Sequence, residues 1–193
     1  MTEPTADDQH GPVTITAADL VDPAEGADPV ERADRLARLA FRIAEVHRTA
    51  AVKAYAGIFP TTSEPPTTTE LAVQWRSLLT DGDGRVFVAR MGSVVVGAAA
   101  LKPDLHVPAG LLLARLYVDP SHQGSGLGSR LHDAAVGEAC TMSDSLNLWV
   151  LEENRVARTM YERRGWQLVP GKYLPNEPPE VRDVLYQLVF PTP

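Results

Sequence analysis

Leu116-Tyr117-Val118-Asp119-Pro120-Ser121-His122-Gln123-Gly124-Ser125-Gly126-Leu127-Gly128-Ser129-Arg130-Leu131 is the stretch whose reading decides the fold. An apolar strand stops at Asp119-Pro120. Three glycines follow at alternate positions, and an amphipathic helix begins behind them. Glycine reaches backbone angles that other residues avoid, and it has no side chain to keep a ligand away. Several free N–H groups then converge at the positive end of a helix dipole, which makes an anion site suited to phosphate. Two well-known phosphate loops fit poorly. A P-loop needs a Gly-Lys-Ser/Thr ending, and no Lys is present. A Rossmann turn needs its third glycine three positions after the second; Ser129 stands there, and Gly128 comes one residue early. A tight structural turn with a glycine helix entry is the other reading, and from the loop alone both stand.

Outward from this turn, the chain alternates between strand and helix patterns. Upstream, Val13–Thr16 alternates as a first strand. Asp28-Pro29-Val30-Glu31 is a helix start, with Asp28 as cap and Pro29 at the first helical position. Leu36, Leu39, Ala40, Ile43 and Val46 follow at helical spacing, and the pattern ends by Gly57. Thr61–Thr69 is a Thr/Pro loop. Thr67 and Glu70 open a second helix with Leu71, Trp75, Leu78 and Leu79 on one side. Arg85–Ala89 and Val94–Ala98 form a hairpin, and Leu111–Val118 is the strand before the turn. Downstream come a helix over 126–140, a strand Leu146–Val150, a helix from Asn154 to Arg164 stopped by Gly165, and strands 166–169 and 184–189. A helical pair, a strand meander and strand–helix–strand units imply an α/β domain of the α+β type.

The composition narrows the function classes. At 193 residues one domain is expected, since domains run to roughly 100–200. Residues 1–12 are expected to be a flexible acidic tail and 13–193 a single domain. Hydrophobic residues make up 44% and charged residues 22%, ordinary for a globular protein. No apolar run approaches the ~20 residues of a membrane helix. Nothing at the start resembles a secretory signal, and a single cysteine fits a reducing cytosol, so a cytoplasmic location is expected. The net charge of −7 comes from the first 31 residues, which hold eight of the 25 acidic residues and none of the 18 basic ones. The remainder carries 17 acidic and 18 basic residues, which gives nucleic acid no basic footprint. The five histidines form no i, i+4 pair and one cysteine makes no cluster, so no metal site is expected. Cys140, near a helix end, reads as a buried structural thiol.

At this point the sequence resembles the GNAT superfamily of N-acetyltransferases. The Gln/Arg-x-x-Gly-x-Gly/Ala signature of that family matches Gln123-Gly124-Ser125-Gly126-Leu127-Gly128. A second family block matches Leu148 through Asn154, then Ala157, Tyr161, Gly165 and Trp166. The stretch Val46-His47 through Phe59-Pro60 looks like the first helical region of one bacterial branch. The resemblance covers roughly residues 13–190. It implies a mixed, mostly antiparallel sheet of about seven strands flanked by four helices, splayed between the fourth and fifth strands, with acetyl-CoA in the cleft.

The resemblance also assigns residues. The CoA pyrophosphate would sit on the turn formed by Gln123, Gly124, Ser125, Gly126, Leu127, Gly128 and Ser129. The pantetheine arm would lie between the strands, against Leu116, Tyr117 and Val118, where a backbone N–H could hold the developing oxyanion. Asn154 is a contact near the pantetheine by resemblance and a helix cap by position. Tyr161 is the candidate catalytic residue, donating a proton to the departing thiolate; its alternative is a core aromatic packed with Ala157 and Met160.

The acceptor would be an amine of a small molecule or peptide. About one alkylamine in 2,500 is neutral at pH 7, so a base is needed. Many relatives place a Glu on the strand ending at Val118, but Leu111–Leu116 has no carboxylate. Glu152, Glu153, Asp104, His106 and His47 remain, with none singled out. Tyr55, Phe59, the 61–69 loop and Tyr173 are candidates for holding the acceptor. The leading reading is an acetyl-CoA-dependent N-acetyltransferase acting by direct attack. The alternative is a non-catalytic acyl-CoA-binding module. Neither nucleic acid nor membrane is an expected partner, and the resemblance allows a homodimer.

Overall fold

Asp28 caps the first helix through its side chain, which accepts a hydrogen bond from Val30 N at 2.9 Å, with Pro29 just inside the helix. In this computed structural model, which describes residues 12–18, 28–80, 82–105 and 110–191, that helix is α1 (Pro29–Ala54). Its end passes through Tyr55 to Gly57 at φ 82°, a left-handed angle suited to glycine. A capping box opens α2 (Thr68–Thr80): Thr67 N donates to Glu70 Oε2 at 2.8 Å, and Glu70 N donates to Thr67 Oγ1 at 3.2 Å. The expected tail lies outside the described residues except for Pro12, as does His106.

Seven strands form one sheet: β1 (Val13–Ala17), β2 (Arg85–Met91), β3 (Val94–Asp104), β4 (Gly110–Val118), β5 (Ser145–Leu151), β6 (Gln167–Pro175) and β7 (Arg182–Val189). Their order is β1-β2-β3-β4-β5-β7-β6. Every neighbouring pair is antiparallel except β4 and β5. Helix α3 (Leu127–Met142) connects β4 to β5, and α4 (Arg155–Glu162) connects β5 to β6. The parallel pair needs such a helical crossover.

Both faces of the sheet are covered, so its central strands are apolar on successive residues. Phe87, Leu101, Leu113 and Leu148 pack beneath Leu131 of α3, while Val86 and Val88 pack under Ile43 of α1 and Trp75 and Leu79 of α2. α3 lies so close to β3 that Gly97 has no room for a side chain. A Cβ there would meet Leu131 Cδ1 at 2.8 Å and Tyr117 O at 3.1 Å.

The α1–α2 pair is pinned to β4 through His47. Its Nδ1 accepts a hydrogen bond from Trp75 Nε1 at 3.2 Å, and its ring stacks on Tyr117 with centroids 3.8 Å apart. Burial, with the positive charge of Arg115 adding to it, lowers His47 from its ordinary 6.5 to about 3. The ring therefore stays neutral in the folded protein and takes up a proton on unfolding.

Three expectations change. β3 runs on to Asp104 because its pairing with β4 continues to Gly110. β6 continues through the segment expected as a loop: a break in register between Leu168 and Tyr173, with Gly171 at φ 72°, lets Tyr173 re-pair with Val184. Cys140 is exposed, because it lies on the outer side of the last turn of α3 beside buried Ala139, and its thiol donates to Gly137 O.

Two outcomes follow from this packing. Stability that His47 leaves intact above about pH 6.5 drains away as the pH falls towards 3, because only the unfolded state binds the proton. Urea unfolding followed from neutral to mildly acidic pH should show a shallower loss for His47→Gln than for the native chain; parallel curves would remove this role. Gly97→Ala should destabilise by about 1–3 kcal/mol through overpacking, seen as a lower Tm, and an unchanged Tm would mean that α3 stands further from the sheet.

Candidate functional site

β4 and β5 are joined at one register position, Leu112 with Asn147. Towards their C-terminal ends each strand keeps its antiparallel partner, β3 or β7, while no pairing joins the two. The sheet therefore opens as a wedge at the carboxyl ends of a parallel pair, where open sheets place ligands. Asn147 sits at the hinge of the wedge with 1% exposure. Its Oδ1 accepts from Gln187 Nε2 at 3.2 Å, and its buried Nδ2 has no hydrogen-bond partner among the described residues.

The glycine turn forms one rim. Gly124 and Gly126 take φ of 81° and 82°, and Gly126 is the left-handed N-cap of α3 with no side chain to satisfy the helix. The turn is braced from within. Gln123 Nε2 donates to Val118 O at 3.1 Å, Ser125 Oγ donates to His122 O at 2.7 Å, and Ser121 N donates to Asp119 Oδ1 at 2.9 Å. The Gln123 amide is thus committed to the turn. Gly124, Ser125 and Gly126 are exposed, Gly128 and Ser129 are half-buried, and Leu127 anchors the turn in the core. The return bond that starts α3 runs from Arg130 N to Gly126 O. The N–H groups of the first turn of a helix have no intrahelical partner, and at this N-terminus they are a fitting cradle for a phosphate-bearing ligand.

The other rim depends on a bulge in β4. Leu113 pairs with Leu101 and Arg115 with Ala100, so Ala114 is an extra residue. A bulge re-aims the side chains after it. Leu111 and Leu113 face α3 before it; beyond it Leu116 and Val118 face α3, while Arg115 and Tyr117 turn towards α1 and α2. Arg115 Nη2 reaches Gln74 Oε1 at 3.1 Å. The Tyr117 hydroxyl lies 3.3 Å from that of Tyr55. Of the strand residues expected at the cleft, Tyr117 therefore presents its ring to the α1–α2 side, and Leu116 and Val118 contribute backbone there.

Tyr161 closes the arrangement from α4. Asn154 caps that helix, its Oδ1 accepting from Ala157 N at 3.2 Å. The Tyr161 ring packs edge-on against Trp166 at 5.7 Å and near His132 at 6.4 Å. Trp166 is fixed in turn by its Nε1 bond to His132 Nε2 at 2.8 Å. So Tyr161 is both a core aromatic and a placed phenol. Burial raises its pKa, with Tyr117 adding to the effect, so the phenol stays protonated.

The candidate bases fare unequally. His47 has its Nδ1 occupied and its basicity removed by burial. Asp104 sits at the opposite end of β3 from the wedge, across from Gly110. Glu152 is bonded to Arg182 at 2.5 Å, and that bond lowers its pKa. A carboxylate missed in the sequence, Asp183, lies instead in the cluster. It opens β7 opposite Leu151 of β5 and interacts electrostatically with Tyr55 and Arg115. Its Oδ2 accepts from Asn176 Nδ2 at 3.2 Å. Burial raises its pKa despite that bond and the Arg115 charge. No sequence pattern marked it, since a lone Asp at a strand start reads as a solvated end. Among the described residues no group of His, Cys, Asp and Glu could hold a metal. A separate groove of about 820 Å³ lies between α1 and the β2–β3 hairpin and reaches Asp119.

Residues 82–168 match the acetyltransferase (GNAT) domain family. A probable N-acetyltransferase of Mycobacterium tuberculosis is 29% identical over 87 residues, 45% of this chain and 49% of that protein, so the match spans about half of that relative. Among solved structures, aminoglycoside 6'-acetyltransferase type Ii superposes with a TM-score of 0.64 at 17% identity, covering 93% of this chain and 99% of that one. Ribosomal-protein-S18-alanine N-acetyltransferase from Escherichia coli gives 0.61 at 16% identity, over 94% and 96%. PaiA N-acetyltransferase from Thermoplasma acidophilum, solved with coenzyme A, gives 0.60 at 18% identity, over 80% and 94%. Identities this low speak for the fold. The splayed seven-stranded sheet and the sequence pattern over residues 82–168 agree: this chain has the fold of those acetyltransferases, and that segment matches the GNAT domain family.

Proposed function

We propose that the protein is an acetyl-CoA-dependent N-acetyltransferase that passes an acetyl group directly to an amine of a small molecule or peptide in the cytoplasm. What supports this reading is Tyr161, a phenol that burial keeps protonated and that packs against Trp166 and near His132, with the Tyr117 phenol of β4 among the groups acting on it. The glycine turn after β4 supports the identity of the donor, since backbone N–H groups at the N-terminus of α3 suit its pyrophosphate. When bound, acetyl-CoA supplies the thioester. The chain's residues do the rest. The turn holds the phosphates, the edges of β4 and β5 left unpaired with each other orient the pantetheine, and Asn154 keeps α4 and its phenol in register with β5. Tyr161 gives its proton to the thiolate as it leaves. A proton donor poised there favours turnover over a module that only binds acyl-CoA.

Acetyl-CoA and CoA, but not ATP or NADH, should raise the Tm. A ligand at 100 times its Kd adds about 2.7 kcal/mol, or roughly 5–10 °C at this chain length. Gly126→Val strains the left-handed cap and should lose the shift. A native protein that CoA does not stabilise would overturn the donor assignment. Tyr161→Phe should keep the CoA shift while kcat falls by about 10²-fold or more, and undiminished turnover would take the proton-donor role away.

A further inference from the structure

The rim of the wedge opposite the glycine turn holds one carboxylate among phenols. Asp183 stands at the start of β7, half-buried, with Leu151 at the end of β5 on one side and Leu174 of β6 on the other. Asn176 fixes Oδ2 from the turn after β6, while Oδ1 has no hydrogen-bond partner among the described residues. Two groups act on it electrostatically: Tyr55 at the end of α1, and Arg115 on β4. Tyr55 in turn lies 3.3 Å from Tyr117, hydroxyl to hydroxyl, and is affected by Tyr161 of α4, while the Arg115 charge also acts on His47. Burial keeps the Tyr55 and Tyr161 phenols protonated and leaves His47 without basicity, so these three do not take a proton from an ammonium ion. Burial disfavours the Asp183 charge, Arg115 offsets part of that cost, and an incoming cation relieves more of it. The aromatic faces of Tyr55 and Tyr117 favour the same cation.

We infer that Asp183 receives the acceptor as an ammonium ion and takes its first proton, which makes it the general base of the transfer. This rests on the acetyltransferase reading above. The proton balance closes without any further reagent. R–NH3+ gives one proton to the Asp183 carboxylate, which becomes the neutral acid, and the nitrogen lone pair is freed. The N–C bond forms as the C–S bond breaks. The second proton lost from nitrogen replaces the one that Tyr161 gives to the thiolate, so products are the N-acetyl amine and free CoA thiol. Asp183 then returns its proton to solvent. Its raised pKa helps here, because a carboxyl closer to neutrality is a better match for an amine.

The test compares the native protein with Asp183→Asn, following thiol release from acetyl-CoA over a panel of arylalkylamines, diamines and amino acids. With the best native amine, the variant should lose about 10²-fold or more in kcat/KM at neutral pH. The loss should shrink as the pH rises towards the amine's own pKa, because the substrate then arrives deprotonated. Asp183→Glu keeps the carboxylate and should recover part of the rate. The CoA-induced Tm shift should be the same in all three, which controls for folding. A variant as active as the native protein overturns the assignment, and so does a loss that is equal at every pH. A native protein that binds CoA but releases thiol with no amine overturns the acetyltransferase reading itself, and this inference with it.

Discussion

The pairing of β4 with β5 through Leu112 and Asn147 is the constraint on which the rest of the structure depends. The antiparallel β1–β4 meander and the β5–β7–β6 unit are joined there, and each has its own hydrogen-bonded partners. If the parallel pairing ran the full length of both strands, the sheet would be continuous and there would be no cleft. If it were absent, the two halves would be held by helix packing alone. One register pair gives a hinge with a fixed apex and an open end. Everything with chemical potential lies towards that open end: the glycine turn, Tyr117, Tyr161 and Asp183.

The architecture was largely legible because its signals are local. Asp28-Pro29, the Thr67/Glu70 box, Asn154 and Gly165 are punctuation whose physics acts within a few residues, and each element starts or stops where they imply. The glycine turn was legible for the same reason. The splay was not available from periodicity and came from the family resemblance, and the order of the strands is visible only in the structure. β6 was read too short because its bulge interrupts alternation at Pro170-Gly171, which looks like a turn until pairing with β7 resumes at Tyr173. Cys140 was misplaced because helical spacing near a terminus leaves the facing side undetermined.

The site was legible on the donor side and illegible on the acceptor side. The donor side is built from consecutive backbone atoms, which a sequence displays directly. The acceptor side is assembled by a one-residue bulge at Ala114, which exchanges the faces of β4 so that Arg115 and Tyr117 point away from α3. Strict alternation from Leu111 and Leu113 would have sent both to the opposite side. Asp183 joins them from nearly 70 positions further on, with no motif around it. The missing carboxylate on β4 and the unmarked one on β7 are two aspects of the same cluster.

The irregular course of β6 has a consequence beyond the cleft. β6 and β1 are the two edges of the sheet. An edge strand is a template for another chain's backbone unless something blunts it. β1 is only five residues long, and the Arg130 guanidinium bonds to Val13 O at 2.8 Å. β6 breaks register in its middle, at a segment where Pro170 has no amide hydrogen to donate, and Pro175 ends it the same way. β6 therefore offers no straight run of donors and acceptors, and the β1 edge is short, so strand-to-strand addition is disfavoured most strongly on the β6 side.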